Sequence, residues 1–304
     1  MKFLKLLAIG LWLTIGLYGI FYNITYIDEA KYLIKGWLIT TGQVGYYSTP
    51  EFFYQHMPGG LLWFGLGQKL FGPNLFIARV QSWLLGILIL GFSVKLTRTI
   101  RPQAEKWILP IMALAPVATL YYSSAVPQAL AALTLVLAFY YMFRNNYFFS
   151  TVWFTLTFIV RENFLFTLAL YFIYLLVNKH KIWLKQALLS AAIIGLFFLP
   201  GWPEILNVLK NFPGVSWFLP VSPAEKNILG LNIQQPSHSL ALYFQAIKEF
   251  GEIYLSFILI FISALLQKKY RNKKFIFLIL VAALNFLAHT WSAFNLTPRA
   301  IVPY

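Results

Sequence analysis

Residues 27–62 read IDEAKYLIKGWLITTGQVGYYSTPEFFYQHMPGGLL, a polar stretch in a chain that is otherwise strongly apolar. Two adjacent carboxylates, Asp28 and Glu29, begin an amphipathic run that continues through a tyrosine-rich loop to a His-Met-Pro-Gly corner at 56–59. Acidic side chains beside the end of a membrane helix are costly to keep there unless they serve a purpose. The stretch therefore predicts a functional loop at a membrane surface.

The composition of the whole chain decides its class. Of its 304 residues, 60% are hydrophobic and only 11% are charged, and the mean hydropathy is +0.69. Apolar runs of about 15–25 residues recur, which is the length that a helix needs to cross the hydrocarbon layer. We expect an all-α polytopic membrane protein with about nine transmembrane helices, and with interfacial helices in the first outer loop.

The formal net charge of +15 is distributed unevenly. When successive loops are assigned to alternate sides, with the N-terminus inside, the inner loops hold most of the 24 basic residues and one acid, Glu105. This is the positive-inside pattern. It predicts a cytoplasmic N-terminus and places the two large loops, 23–73 and 200–248, on the outer (periplasmic or extracellular) face. Orientation and anionic lipid headgroups account for the charge, so no nucleic-acid partner is expected.

The first helix and the first outer loop can be interpreted together. Residues 6–21 are apolar and lack a small-residue cleavage site, so we expect an uncleaved transmembrane helix. An interfacial helix is predicted next, with Lys31 and Lys35 away from its hydrophobic side. That side is formed by Ala30, Leu33, Ile34, Trp37 and Leu38.

The segments that follow are distinguished by their length. The apolar run 61–71 has about 11 residues, too few to cross a bilayer, so it predicts a second interfacial or re-entrant helix. The next helix is long enough to span and carries Arg79 near its outer end, where we expect the guanidinium to snorkel to the headgroups. An inner loop is expected at 179–185, before a helix that begins at Gln186.

Two charged features of the outer side each have two interpretations. Asp28 and Glu29 could be an N-cap and a first-turn acid favoured by the helix dipole, or they could be catalytic. Arg161-Glu162-Asn163 is the predicted turn of a short helical hairpin, where an ion pair could close the turn or face a substrate cavity.

Other chemistries find little support in the sequence. The chain has no cysteine, which excludes disulfides and thiolate metal sites. Its four histidines match no metal motif, and P-loop and dinucleotide patterns are absent, which argues against a metal centre and against ATP hydrolysis.

The outer residues resemble the GT-C membrane glycosyltransferases. The resemblance rests on Asp28 to Tyr32 after the first membrane helix, on the corner His56 to Gly59, and on Leu70 to Pro73 before the helix that carries Arg79. The branch that looks most similar contains protein O-mannosyltransferases and lipid A aminoarabinose transferases. Further similar positions are Arg161-Glu162-Asn163 and the segment Pro298-Arg299-Ala300-Ile301-Val302-Pro303.

The resemblance implies an inverting transfer of a sugar from a polyprenyl-phosphate donor to a glycan, lipid or protein acceptor at the outer face, with no cofactor. Asp28 would be the base or would orient the acceptor, and Glu29 would support it. Gln128 stands where the family often has an acid, which favours a metal-independent reaction. The substrate-binding residues would be Lys31, Tyr32, His56, Arg161, Glu162 and Arg299.

Two other functions remain open. The outer charges could gate a substrate in a transporter or lipid flippase, or the chain could be an inactive accessory subunit of a membrane complex. Residues 295–304 look like the beginning of a tenth helix, so we expect a single GT-C-like transmembrane domain over 1–304 that lacks its C-terminal part.

Overall fold

The computed structural model describes residues 2–23, 27–45, 57–113, 119, 122–161, 164–199 and 273–281. Within these ranges the secondary structure is helical and contains no strand, which confirms the all-α prediction for this part of the chain. The chain forms two units, Met1–Val215 and Ser216–Tyr304. The described part of the second unit is a helix at 273–281.

The described part of the first unit is built from α-helices. A 3-10 turn at Pro102–Ala104 precedes the fifth helix. The helices are α1 (Lys2–Tyr22), α2 (Ile27–Thr40), α3 (Pro58–Phe71), α4 (Leu75–Ile100), α5 (Glu105–Ala113), α6 (Gln128–Phe143), α7 (Tyr147–Val160), α8 (Leu165–Asn178) and α9 (His180–Phe198).

Three of these helices are long and apolar enough to cross a membrane: α1 over Phe3–Tyr22, α4 and α9. They support the assignment as a helical membrane protein. Helices α6, α7 and α8 are apolar but shorter, so the described residues do not establish nine spans. The expected inner loop at 179–185 is wrong, because α9 already begins at His180; lysine is a good helix former and adds its turns to the apolar segment.

Ring and core contacts fix the direction of the helices. The stacked pair Trp12–Trp83, with centroids 6.3 Å apart, and the pair Phe21–Phe76, at 5.5 Å, make α1 antiparallel to α4. Helices α4 and α6 run parallel. Gly86 of α4 lies beside Tyr122, just before α6, and Phe92, farther along α4, lies 5.9 Å from the ring of Tyr140 near the end of α6. The two helices share a core of Leu85, Ile89, Ala129, Leu133 and Leu137.

Hydroxyl groups connect α7 to three neighbouring helices. Thr157 Oγ1 donates to Thr134 Oγ1 of α6 at 2.9 Å, and Thr155 Oγ1 donates to Ser190 Oγ of α9 at 2.8 Å. A third hydroxyl, of Thr151, shares a 3.0 Å hydrogen bond with Tyr171 of α8. Such bonds between apolar helices are each worth roughly 0.6 kcal/mol, up to about 1.7. They hold α7 in register with the bundle.

These directions define two ends of the bundle. The loop end contains the end of α1, the start of α4, the turn 123–127 and the end of α7, and it also receives α2 and the start of α3. The basic end contains the last turns of α4, α6 and α8 and the starts of α5, α7 and α9. There Arg98 Nη2 and Glu105 Oε1 lie 2.7 Å apart in an exposed ion pair.

Candidate functional site

The centre of the loop end is a buried ion pair between Glu29 of α2 and Arg79 of α4. Arg79 Nε donates to Glu29 Oε1 at 3.0 Å, and Arg79 Nη2 donates to Glu29 Oε2 at 2.9 Å. Glu29 is 0% exposed and Arg79 is 3% exposed. The two-pronged geometry is the strongest that a guanidinium and a carboxylate can form. The expectation that Arg79 snorkels to the headgroups is wrong, because this carboxylate holds it inside the protein.

Two backbone groups also form hydrogen bonds with the pair. Arg79 Nη1 donates to the carbonyl oxygen of Ile20 at 3.2 Å, and the backbone N–H of Ala125 donates to Glu29 Oε1 at 2.7 Å. A nearby bond from Asn23 Nδ2 to Ser124 Oγ, 3.0 Å long, joins the same segments. A buried ion pair repays its desolvation only when such additional bonds are present. The network therefore connects α1, α2, α4 and the turn 123–127 at one point.

The second part of the site is the corner at the start of α3. A Cβ atom placed on Gly60 would lie 2.9 Å from Pro127 Cβ and 3.2 Å from Tyr32 Cε1, and one on Gly59 would lie 3.0 Å from the carbonyl oxygen of Ile159. Only glycine permits these approaches without displacing a neighbour. The glycines after Pro58 thus bring α2, α3, the turn 123–127 and the end of α7 together.

Arg161 follows this contact directly. It ends α7, and its backbone N–H donates to the carbonyl oxygen of Thr157 at 3.0 Å. Its side chain is half-buried. Because Gly59 packs on Ile159 and Val160, the proline corner and the arginine turn, which are about 100 residues apart in sequence, are neighbours at the loop end.

The predicted site residues fall into two groups. Asp28 is the second residue of α2, Lys31 is half-buried, and Tyr32 is buried against Phe64 with ring centroids 6.0 Å apart. Together with Glu29 and Arg161 they lie on segments that meet at the loop end. His56, Glu162 and Arg299 lie outside the described residues, as does the side chain of Asp28.

One charged residue near the site differs from its sequence interpretation. Lys35 was expected on the polar side of α2 and Ile34 on the apolar side, but Lys35 is 3% exposed and Ile34 is 55% exposed. The rotation of α2 is set by its crossing with α3, where Gly36 lies against the backbone of Leu61 and Gly65. Burial lowers the pKa of Lys35 from 10.5 to about 8. Gly36 and Gly65 are the residues of the sequence that permit this close crossing.

The side chain of Gln128 lies at a position where a metal ligand was considered. Gln128 begins α6, and its side-chain oxygen is buried without a hydrogen-bond partner there. Such an oxygen can accept a hydrogen bond from a substrate hydroxyl. No group of three or more metal-binding side chains occurs among the described residues.

Comparison of the chain with known protein families, with characterised proteins and with solved structures finds no match.

Proposed function

We propose that this protein is a membrane glycosyltransferase of the GT-C type. It transfers a sugar from a polyprenyl-phosphate donor to a hydroxyl or amine acceptor at the outer face, with inversion and without a metal ion. The observation that carries the proposal is the network of Glu29, Arg79 and Ala125. It anchors the start of α2, where Asp28 lies, on the end of the bundle that also carries Arg161.

The chemistry assigned to these residues is a single displacement. The acceptor oxygen or nitrogen attacks the anomeric carbon from the face opposite the phosphate, and the bond from this carbon to the phosphate oxygen breaks. The acceptor proton passes to the carboxylate of Asp28. The lipid phosphate leaves with the bonding electrons, and the cations Lys31 and Arg161 stabilise its negative charge. Inversion follows because the reaction has one displacement.

In this proposal Glu29 holds the start of α2 in place and does not itself contact the substrate. Its carboxylate is occupied by Arg79 and by the Ala125 amide, so it is a positioning residue and Asp28 is the catalytic one. Tyr32 forms part of the floor of the site, and the free oxygen of Gln128 accepts a hydrogen bond from a substrate hydroxyl. The proposal also includes about nine spans with the N-terminus in the cytoplasm.

The test is transfer by the purified full-length protein. The protein is reconstituted and incubated with radiolabelled polyprenyl-phosphate sugars and with glycan, lipid and peptide acceptors. Asp28→Asn should lower kcat by about 100-fold or more, the usual contribution of a general base. Glu105→Gln is a matched control, because it also neutralises one carboxylate but lies at the basic end. Arg161→Gln should weaken donor binding.

Full transfer activity in Asp28→Asn would contradict the role of Asp28. Movement of the labelled lipid across the vesicle membrane with no glycosylated product would identify a transporter or flippase instead. Absence of both activities over the full donor and acceptor panel would favour an accessory subunit.

A further inference from the structure

The basic end of the bundle carries positive charge that the proposed reaction does not use. Among its described residues there is one acid, Glu105, and Arg98 donates to it at 2.8 and 2.7 Å. These hydrogen bonds hold the pKa of the Glu105 carboxyl below its usual value, so this acid is already neutralised by a local partner. The exposed cations of the end are Lys95, Arg98, Arg101, Lys106, Arg144, Lys179, Lys181 and Lys185.

Two of these cations lie over adjoining aromatic rings. Lys95 Nζ lies 4.8 Å from the ring centroid of Phe92 on α4, and Arg144 Cζ lies 5.6 Å from that of Tyr140 on α6. The rings of Phe92 and Tyr140 are 5.9 Å apart, and Arg144 Nη1 donates to the Tyr140 hydroxyl at 2.9 Å. The parallel direction of α4 and α6 thus combines their last turns into one cluster of two cations on two rings.

The pattern is repeated at the neighbouring helix ends. Lys106 lies 5.7 Å from the ring of Trp107, and Lys179 lies 5.5 Å from the ring of Tyr147. Aromatic rings and basic side chains gather at the headgroup level of membrane proteins, because both have an apolar body and a polar tip. The cation positions therefore mark the depth of the headgroups.

An exposed apolar stripe leads from the cluster along α4 toward the middle of the helix. Leu84 and Leu88 are about half exposed, and Lys95 follows Leu88 by seven residues, which is two helical turns and the same side of the helix. A nucleic acid would leave this stripe uncovered, whereas the acyl chain of a lipid would cover it. The positive cluster and the apolar stripe together are complementary to the negative headgroup and the acyl chains of an anionic phospholipid.

We propose that Lys95 and Arg144, on the rings of Phe92 and Tyr140, bind the phosphate headgroup of an anionic phospholipid such as phosphatidylglycerol. The acyl chains lie along the stripe of Leu84 and Leu88. The last carbonyl groups of α4 and α6 carry partial negative charge, so the attraction for the phosphate comes from the side chains. Basic groups between helices at this membrane face are a known type of lipid headgroup site.

The test uses the full chain purified in a neutral detergent. Native mass spectrometry counts the bound molecules of phosphatidylglycerol and of phosphatidylcholine with matched acyl chains. The wild type should retain phosphatidylglycerol preferentially and lose this preference in high salt. Each basic side chain near an anionic lipid contributes roughly a factor of five, so the double variant Lys95→Gln/Arg144→Gln should bind about 25-fold more weakly.

Three further variants complete the experiment. Lys69→Gln removes one exposed lysine from α3 and should leave lipid retention unchanged. The single variants Lys95→Gln and Arg144→Gln should each cost about fivefold, so a test remains if the double variant fails to fold. Equal retention of the two lipids by the wild type, unchanged retention by the variants, or displacement of the lipid by soluble glycerol phosphate or by short RNA would overturn the proposal.

Discussion

Gly36 of α2 and Gly65 of α3 lie backbone against backbone. A Cβ atom on Gly36 would lie 2.5 Å from the carbonyl oxygen of Leu61 and 2.9 Å from the amide nitrogen of Gly65. Thr40 strengthens the crossing, because its hydroxyl donates to the carbonyl oxygen of Gly65 at 2.9 Å. This close crossing sets the rotation of α2 and thereby directs Glu29 toward Arg79.

The first prediction concerns this crossing. Gly65→Ala should destabilise the protein by about 1–3 kcal/mol, because the added methyl group collides with the carbonyl of Gly36 and forces the two helices apart. Thermal unfolding in detergent measures the loss. Gly10→Ala is the matched control: a Cβ atom there meets nothing within 4 Å, so the same substitution should be neutral or slightly stabilising. Equal unfolding temperatures for the two variants would refute the crossing.

The second prediction concerns the buried ion pair. Glu29→Gln or Arg79→Met alone should each cost about 3–5 kcal/mol, because each leaves one partner buried without its charge compensation. The double variant Glu29→Gln/Arg79→Met should be more stable than either single variant, because it leaves no charge buried without its partner. A double-mutant cycle of unfolding free energies checks this. Additive losses would show that the two side chains do not interact.

The third prediction follows from the lowered pKa of Lys35, about 8 against its ordinary 10.5. Between these two pH values the unfolded chain holds a proton that the folded protein has released. The unfolding free energy should therefore increase with pH over this window, by at most roughly 3 kcal/mol, and titration of Lys35 should add no change below it. Denaturant unfolding at a series of pH values measures this rise.

Lys35→Met should remove the increase between pH 8 and 10.5, because the group that titrates in this window is then absent. Lys69→Met, which removes an exposed lysine, should retain the increase. A pH profile that is the same with and without Lys35 would show that this side chain is not the group responsible.

The fourth prediction concerns the hydroxyl pair between α6 and α7. Thr157→Val should remove an interaction with Thr134 that is worth about 0.6 kcal/mol. The substitution loses the 2.9 Å hydrogen bond between the two hydroxyl groups and keeps the shape of the side chain. The cycle of Thr157→Val, Thr134→Val and the double variant isolates this energy from the cost of each substitution. A coupling energy of zero would exclude the bond.

The sequence predicts the local features of this fold well. Helical spacing predicted α2, and the apolar run 61–71 predicted the short helix α3 to within three residues of its observed bounds. These elements follow from periodicity and turn residues, which act over a few positions of the chain.

The features that were missed depend on contacts between distant residues. Glu29 and Arg79 are separated by 50 residues, and no local pattern identifies one as the partner of the other. A weaker signal was present in the small residues Ala78, Ser82 and Gly86, whose spacing marks the buried side of α4. Lys35 was misplaced because a glycine contact between helices, and not the hydrophobic pattern of α2, sets its rotation.

The network around Glu29 also constrains the order in which the chain can assemble during synthesis. Glu29 is synthesised early, but the two residues that bind its carboxylate, Arg79 and Ala125, follow 50 and 96 residues later. Until the turn 123–127 has been synthesised, the carboxylate of Glu29 lacks the hydrogen bond from the backbone N–H of Ala125. The contacts of the loop end are thus completed late in synthesis. Slower translation between α2 and this turn therefore prolongs the interval in which α2 is not yet docked on the bundle.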